Sequence, residues 1–263
     1  MPGAGPVQCC GAVVTDTVFP WSSGTVVQIT DCHLLAAPDA EYQGIMPYRH
    51  LQRVLDGLRA EAPLLILSGD LTEDHSPDSY RLLQQLLAGW PAPVFLLPGN
   101  HDERSALDAL SRFAPFRPER RLQLPGWQLW LLDSKGDTPA GSFPAERLSQ
   151  LAQWRDDSGD AQIFWFCHHH LLPIGSFIDR FDQQDKAGLL ALLRQEPRVR
   201  GLAHGHCHHA YQFIQENFVQ VGCLASSVQF LQTPDWQTED QGPRACRWTF
   251  HPDGELQWEF LAF

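Results

Sequence analysis

The stretch VFLLPGNHD, residues 94–102, sets a short apolar run directly against a turn carrying an amide, an imidazole and a carboxylate. Val94–Leu97 is too short for a helix and apolar throughout, which suits a strand buried on both faces. The polar cluster Gly99–Asp102 (GNHD) follows at once. The same arrangement recurs along the chain. Val26–Ile29 runs into Asp31–His33 (DCH), and Leu64–Leu67 runs into Gly69–Asp70 (GD). Ile163–Cys167 runs into His168–His170 (HHH). Gly201–Ala203, a weaker run, leads to Gly205–His208 (GHCH). Of the twelve histidines, only His50, His75 and His251 lie away from these clusters.

Between the runs lie helical patterns. Tyr48–Ala60, Asp78–Ala88, Phe143–Asp156 and Gln183–Gln195 carry apolar residues at a spacing near 3.6. Strand, polar turn, helix, strand is the α/β signature. In such sheets ligands collect beyond the carboxyl ends of the strands, the position all five clusters occupy. Gln128–Leu132 breaks the alternation and reads as an antiparallel strand. Cys246–Phe250 and Glu255–Phe260, joined by Pro252-Asp253-Gly254, read as a hairpin. Residues 1–24 are expected to be a lead-in or an edge strand, and residues 25–263 one domain.

The 263 residues suit one large α/β domain. The 31 acidic residues exceed the 19 Lys plus Arg, giving a net charge of -12, and no basic stripe is visible. A groove for a nucleic acid polymer is therefore not expected. Seven cysteines form no CxxC pair, which fits a reducing, cytoplasmic setting. MPGAGPVQCC lacks the basic and apolar segments of a signal peptide, which also argues against lipid attachment at Cys9 and Cys10. No apolar stretch nears the roughly 18 residues of a membrane span.

The clusters offer metal-ligand chemistry. In a strand, residues i and i+2 share a side, so Asp31 and His33 can reach one ion, as can His206 and His208. Asp70 can bridge two cations through its two oxygens, and Asn100 offers a neutral carbonyl oxygen. Adding His168 gives seven ligands with nitrogen and oxygen donors and no thiolate. That set suits Fe, Mn or Zn in a working centre better than a structural zinc site. Each cluster alone has a plainer reading: GD and GNHD suit turns, and GHCH suits a surface loop. Their common position after strands couples them. Trp236, in the polar segment TPDWQTEDQG, is the tryptophan to watch for base stacking; the others read as core.

The order DxH, GD, GNHD, H, GHxH resembles the calcineurin-like metallophosphoesterases, from about Val26 to the tail. QITDCHL, SGDLTEDHSPDSY, FLLPGNHD, LWLLDS, HHHLLPIG with Asp179 beyond it, GHCHH and SSVQF are similar, more narrowly, to the bacterial class III cyclic-AMP phosphodiesterases. The resemblance implies a four-layer α/β sandwich: two mixed sheets face to face, with helices on both outer sides. It implies one metal on Asp31, His33 and His208 and another on Asn100, His168 and His206, with Asp70 bridging. Iron and/or manganese fit best, with zinc as an alternative. A hydroxide would attack phosphorus in line. His101 would protonate the leaving oxygen or stabilise its charge, and Asp102 would orient His101. Asn100, His101, His168 and His208 would face the substrate. Two such ions, bringing about +4 to +5, keep the centre cationic within an acidic protein.

The implied reaction is hydrolysis of a small phosphodiester, 3′,5′-cyclic AMP to 5′-AMP. The rival is broader phosphodiesterase or phosphomonoesterase action on other nucleotides or glycerophosphodiesters. A more distant one is a non-catalytic scaffold or a nucleotide sensor. Cys32 stands where relatives often have Thr. A thiol there is expected to point into the core rather than to act as a redox handle.

Overall fold

The computed structural model describes residues 17–215 and 218–263. Cys9 and Cys10 lie outside them. In chain order the first elements are β1 (Val18–Pro20), β2 (Thr25–Ile29), α1 (Pro47–Leu58), β3 (Leu64–Ser68), α2 (Pro77–Leu87), β4 (Val94–Leu97) and α3 (Arg104–Leu110). Then come β5 (Phe116–Arg117), β6 (Arg121–Leu124), β7 (Trp127–Leu131), α4 (Ala145–Asp157), β8 (Gln162–Phe166), α5 (Ala187–Gln195) and β9 (Val199–His204). The chain ends with β10 (Tyr211–Ile214), β11 (Val219–Gly222), β12 (Gln229–Phe230), β13 (Thr238–Glu239), β14 (Arg244–Phe250) and β15 (Leu256–Ala262).

One sheet has the order β15-β14-β2-β3-β4-β5 and the other β1-β6-β7-β8-β9-β11-β10; β12 and β13 form a small ribbon. Strand parity explains why the two large sheets stack. Val26, Leu64, Ile66 and Phe95 share an apolar cluster with Leu129, Phe164, Phe166 and Ala203 of the opposite sheet. Their neighbours Val27, Leu65, Leu67, Val94 and Leu96 turn outward and bury Leu51, Val54 and Leu55 of α1 and Leu83 of α2. On the other side Ile163, Trp165 and Leu202 bury Leu151 and Trp154 of α4 and Leu189 and Leu193 of α5. The fold is therefore helices, sheet, sheet, helices. Its central strands are largely apolar because both faces are covered, and the polar Gln28 in β2 is satisfied by Ser68 and Trp248.

β2, β3 and β4 run parallel, as do β7, β8 and β9. Their carboxyl ends feed the five polar clusters. Each predicted strand is present, and the tail hairpin pairs Cys246 with Phe260. Gln128–Leu132 corresponds to β7, which is antiparallel to β6 and parallel to β8. α4 and α5 begin two and four residues later than their patterns, at Ala145 and Ala187, because Pro144 and the Gly141–Asp182 pairing hold the preceding chain extended. α3, seven residues long, had no pattern long enough to read.

Candidate dinuclear metal centre

The loops that leave the two sheets meet through backbone hydrogen bonds before any side chain is considered. Asp31 N–H donates to Gly69 O at 2.9 Å and His33 N–H to Asp70 O at 3.0 Å, joining the first two clusters. Gly205 N–H donates to His168 O at 3.1 Å, joining the last two. His206 N–H donates to both Asp31 oxygens at 3.1 Å, which ties one sheet's loop to the other's. His101 N–H donates to Asp70 Oδ1 at 2.8 Å.

The glycines of these clusters are close-approach positions. A Cβ on Gly99 would stand 2.2 Å from Asp70 Oδ1, and one on Gly205 would stand 2.0 Å from the Thr30 hydroxyl. No larger residue fits without moving a candidate ligand.

The local geometry differs from the strand alternation expected of DxH and HxH. Asp31, His33, Asp70, His206 and His208 all have positive φ, between 47° and 63°. They lie past the strand ends in left-handed turns, so alternate residues share a side through paired αL conformations rather than through a pleat. Such backbone costs about 1–3 kcal/mol per residue where it occurs outside glycine, and it persists where surrounding contacts enforce it. Here the backbone bonds between loops enforce it.

The six histidine and aspartate candidates converge. His208 Nε2 lies 3.2 Å from Asp31 Oδ1 and 3.1 Å from His33 Nε2. His33 Nε2 lies 3.8 Å from Asp70 Oδ2, and His168 Nε2 lies 3.2 Å from the same Asp70 oxygen. Asp31, His33 and His208 form one buried set able to hold a cation, and Asp31, Asp70 and His168 form another. Asp70 falls in two sets, one with Asp31 and His168 and one with His33 and His101, so it faces both neighbourhoods. Asn100 Oδ1, His168 Nε2 and His206 Nε2 are buried without a hydrogen-bond partner. Buried polar atoms are nearly always satisfied, so these orphans call for an unseen partner. These are the three atoms the sequence resemblance assigns to the second ion. The donor set thus fits a pair of divalent or trivalent cations.

Supporting groups fix which imidazole nitrogen faces inward. The Nδ1 of His33 contacts Glu73 Oε2 at 2.7 Å, that of His168 contacts Ser68 O at 3.0 Å, and that of His208 contacts Val228 O at 2.7 Å. Each Nδ1–H donates, which leaves Nε2 as the ligand atom. Aromatic rings brace two of them: Tyr42 stacks on His33 at 4.6 Å, and Phe230 stacks on His208 at 3.9 Å.

Charge is redistributed among these groups. Burial opposes ionisation of Asp31 and Asp70, but His208 beside Asp31 and His168 beside Asp70 outweigh it, and both carboxyls sit below their ordinary range. Burial would depress His168, yet the Asp70 charge holds it up to about 9. Burial lowers His33 despite the Glu73 contact. Burial and the neighbouring His169 and His168 push His206 well down.

One reading from sequence changes. Asp102 was expected behind His101. Its fully buried carboxylate instead accepts Gly99 N–H at 2.9 Å, Leu71 N–H at 3.1 Å and the Tyr80 hydroxyl at 3.3 Å. It pins the GD and GNHD loops together, and burial together with Asp70 pushes it up to about 7. The carboxylate beside the His101 ring is that of Glu73, 3.2 Å from Nδ1. Glu73 is the residue that sequence reasoning missed. Its one signal is its place three residues after Asp70 in GDLTE.

The remaining histidines are supports. His169 lies among the candidate ligands, but its Nδ1 meets Ser134 Oγ at 2.9 Å and its Nε2 meets Pro139 O at 3.1 Å. His170 pairs with Asp179 at 3.1 Å. His204 bridges Gly205 O and the Tyr211 hydroxyl. His209 is half-buried. Cys32 is buried among core side chains, as expected, and burial pushes its thiol up to about 12. Among the described residues no helix is long and apolar enough to cross a membrane.

Comparison with known proteins agrees with this geometry. The family description "Calcineurin-like phosphoesterase" matches residues 24–225. A probable cyclic nucleotide phosphodiesterase of Pseudoalteromonas sp. (strain SM9913) is 38% identical over 221 residues, spanning 82% of this chain and 84% of that one. The 3′,5′-cyclic adenosine monophosphate phosphodiesterase CpdA of Pseudomonas aeruginosa is 30% identical over 243 residues, spanning 90% and 89%. A dimetal phosphatase from Danio rerio shares the fold at a TM-score of 0.64 and 15% identity, over 94% of this chain and 100% of that one. With buried histidine and aspartate clusters at the ends of the strands, and a family match over most of its length, this chain belongs to the calcineurin-like phosphoesterases.

Proposed function

We propose that this phosphoesterase hydrolyses 3′,5′-cyclic nucleotides, cyclic AMP foremost, to the 5′-monophosphate. The observation that carries the reading is the place of Asp70 in two sets, with Asp31 and His168 and with His33 and His101, beside the buried orphans Asn100 Oδ1, His168 Nε2 and His206 Nε2. Asp31, His33 and His208 would hold one cation and Asn100, His168 and His206 the other, with Asp70 shared. The nitrogen–oxygen donor set and the lack of thiolates support iron or manganese, with zinc as the alternative. Such a pair supplies Lewis-acid stabilisation of phosphoryl oxygens and an activated water at neutral pH.

The chain's own residues do the rest. Glu73 sits against His101 Nδ1, leaving Nε2 as the atom that can hold a proton toward an ester oxygen. The His101 side chain is 34% exposed, so substrate can reach it. Its backbone N–H is fixed on Asp70, and Lys135 Nζ donates to Asn100 O at 2.8 Å. The GNHD loop therefore presents Asn100 and His101 on a rigid turn, as a group delivering a proton in a defined direction requires. Asp102 acts through that turn as its clamp.

The cyclic-nucleotide part of the reading leans on the relatives at 38% and 30% identity, whose names state that activity. The test is to purify the protein, identify and count its metals, and compare kcat/KM on cyclic AMP with that on glycerophosphodiesters and phosphomonoesters. Two metals and a preference of at least about tenfold for cyclic AMP are expected. Equal rates on all three classes would replace the reading with broad-specificity phosphoesterase action.

A further inference from the structure

Trp236 is 57% exposed in a segment, residues 233–242, whose other members are polar or small. A single exposed aromatic needs no explanation. This one ends a path of rings that begins at the candidate centre. Phe230 lies face to face on His208, with centroids 3.9 Å apart and planes within 4°. Trp236 stands edge-on to Phe230 at 6.4 Å, and Phe177 lies 5.3 Å from Phe230 and 6.5 Å from Trp236. Phe230 is nearly buried, whereas Trp236 keeps more than half its surface open.

The loop carrying Trp236 is braced. Phe177 N–H donates to Thr233 O at 3.0 Å, and Arg180 donates to Pro234 O at 3.3 Å. The Gln232 amide donates to Ile174 O. Leu231 N–H donates to Gln237 O at 2.9 Å, closing the loop around the tryptophan. A loop braced this way loses little freedom when a flat group lands on its tryptophan. On the other flank Tyr42 already has one face covered by His33 and is only partly exposed, so it offers less surface.

We propose that Trp236, backed by Phe230 and Phe177, is the platform on which the substrate's nucleobase stacks, and that it makes the site favour purine nucleotides over diesters that carry no base. This rests on the cyclic-nucleotide reading and adds the residue that recognises the base. Stacking reads a π-face rather than a hydrogen-bonding edge. The platform therefore ranks purines above pyrimidines and separates adenine from guanine only weakly.

The test uses the metal-loaded full chain. Calorimetry measures binding of 5′-AMP and of ribose 5-phosphate, and kinetics measure cyclic AMP against glycerophosphoglycerol. Trp236→Ala is expected to weaken 5′-AMP at least about tenfold, within the usual range for base–aromatic stacking, and to leave ribose 5-phosphate within about twofold. KM for cyclic AMP should rise in step, with kcat within about threefold. Trp236→Phe should keep most of the 5′-AMP affinity and lose the fluorescence quenching that 5′-AMP produces in the wild type. An unchanged ratio of 5′-AMP to ribose 5-phosphate affinity in Trp236→Ala overturns the platform. So does a shift of that ratio by Tyr42→Ala alone, which would put the base over His33. If the wild type turns over cyclic AMP while the Trp236→Ala ratio stays put, only the platform falls. If the wild type binds 5′-AMP no better than ribose 5-phosphate and turns over no cyclic nucleotide, the reading beneath it falls as well.

Discussion

The metal-ligand core and the aromatic rim around Trp236 meet where Phe230 stacks on His208, yet they are built differently. In the core, Asp31, His33, Asp70, His168, His206 and His208 are at most 4% exposed and held by bonds between loops of both sheets. On the rim, Phe181 and Trp236 are open, and the two strands of the nearby ribbon, β12 and β13, are two residues each. The core is fixed by elements distant in sequence, so one change should spread through it. The rim is braced by bonds between the 174–180 and 231–237 segments, apart from the ligand-bearing loops, so a change there should stay within that pair.

The largest effect should come from the shared carboxylate. Asp70→Ala removes the carboxylate that lies 3.8 Å from His33 Nε2 and 3.2 Å from His168 Nε2, and the acceptor of His101 N–H. Metal content should fall from two ions toward none, and kcat/KM should drop by about 10⁴-fold or more. Elemental analysis beside circular dichroism checks this. Retention of both metals would break the idea that the core acts as a unit.

His101→Ala should be the next largest and should separate chemistry from metal binding. The side chain lies between core and rim, partly open. Loss of roughly 10²–10⁴-fold in kcat is expected with two metals still bound, the span for a proton-transfer group. Loss of metal instead would make His101 part of the core.

Glu73→Gln sharpens the boundary, because Glu73 faces His33 on one side and His101 on the other. Outer partners of metal-bound histidines typically matter by about 10–100-fold in affinity or activity. Weaker metal binding at the His33 site and a smaller fall in kcat are expected together. Titrating metal into stripped protein and assaying at saturation tells the two apart.

What could be read in the sequence follows the same divide. β3, β4 and β8 were legible because both faces of each are buried, which writes an apolar run, and β2 and β9 less so because Gln28 and Arg200 interrupt theirs. The ligands were legible because imidazoles and carboxylates crowd the ends of those runs. Ser68 O and Val228 O, which orient His168 and His208, were not, since a backbone carbonyl has no side-chain signature. The left-handed turns at Asp31, His33, His206 and His208 were hidden because they depend on partners in other loops. α3 and the ribbon were too short to show a period, and β10, largely exposed, carries no apolar alternation. Trp236 stood out in the sequence by its contrast with polar neighbours, but its link to His208 came only with the fold.

The smallest expected effect tests how local the rim is. Asp179 accepts N–H bonds from Ile174 at 2.9 Å and Gly175 at 2.8 Å and pairs with His170. Burial opposes its charge, but these bonds win and bring its pKa to about 2, below the ordinary 3.8. A carboxyl depressed on folding stabilises the protein above its unfolded pKa, and that contribution is lost as pH falls from about 5 toward 2. Asp179→Asn should therefore cost about 1 kcal/mol near pH 6, after allowing for solvent screening, and almost nothing near pH 2. Urea melts of metal-stripped wild type and variant across that range measure the difference without metal loss intruding. Metal affinity at pH 7 should not change, because Asp179 reaches the core only through His170, which is not among the seven candidate ligands. A shared loss of stability and metal affinity would mean that the 174–182 segment belongs to the core after all, and the division between chemistry and selection would have to be redrawn at His208.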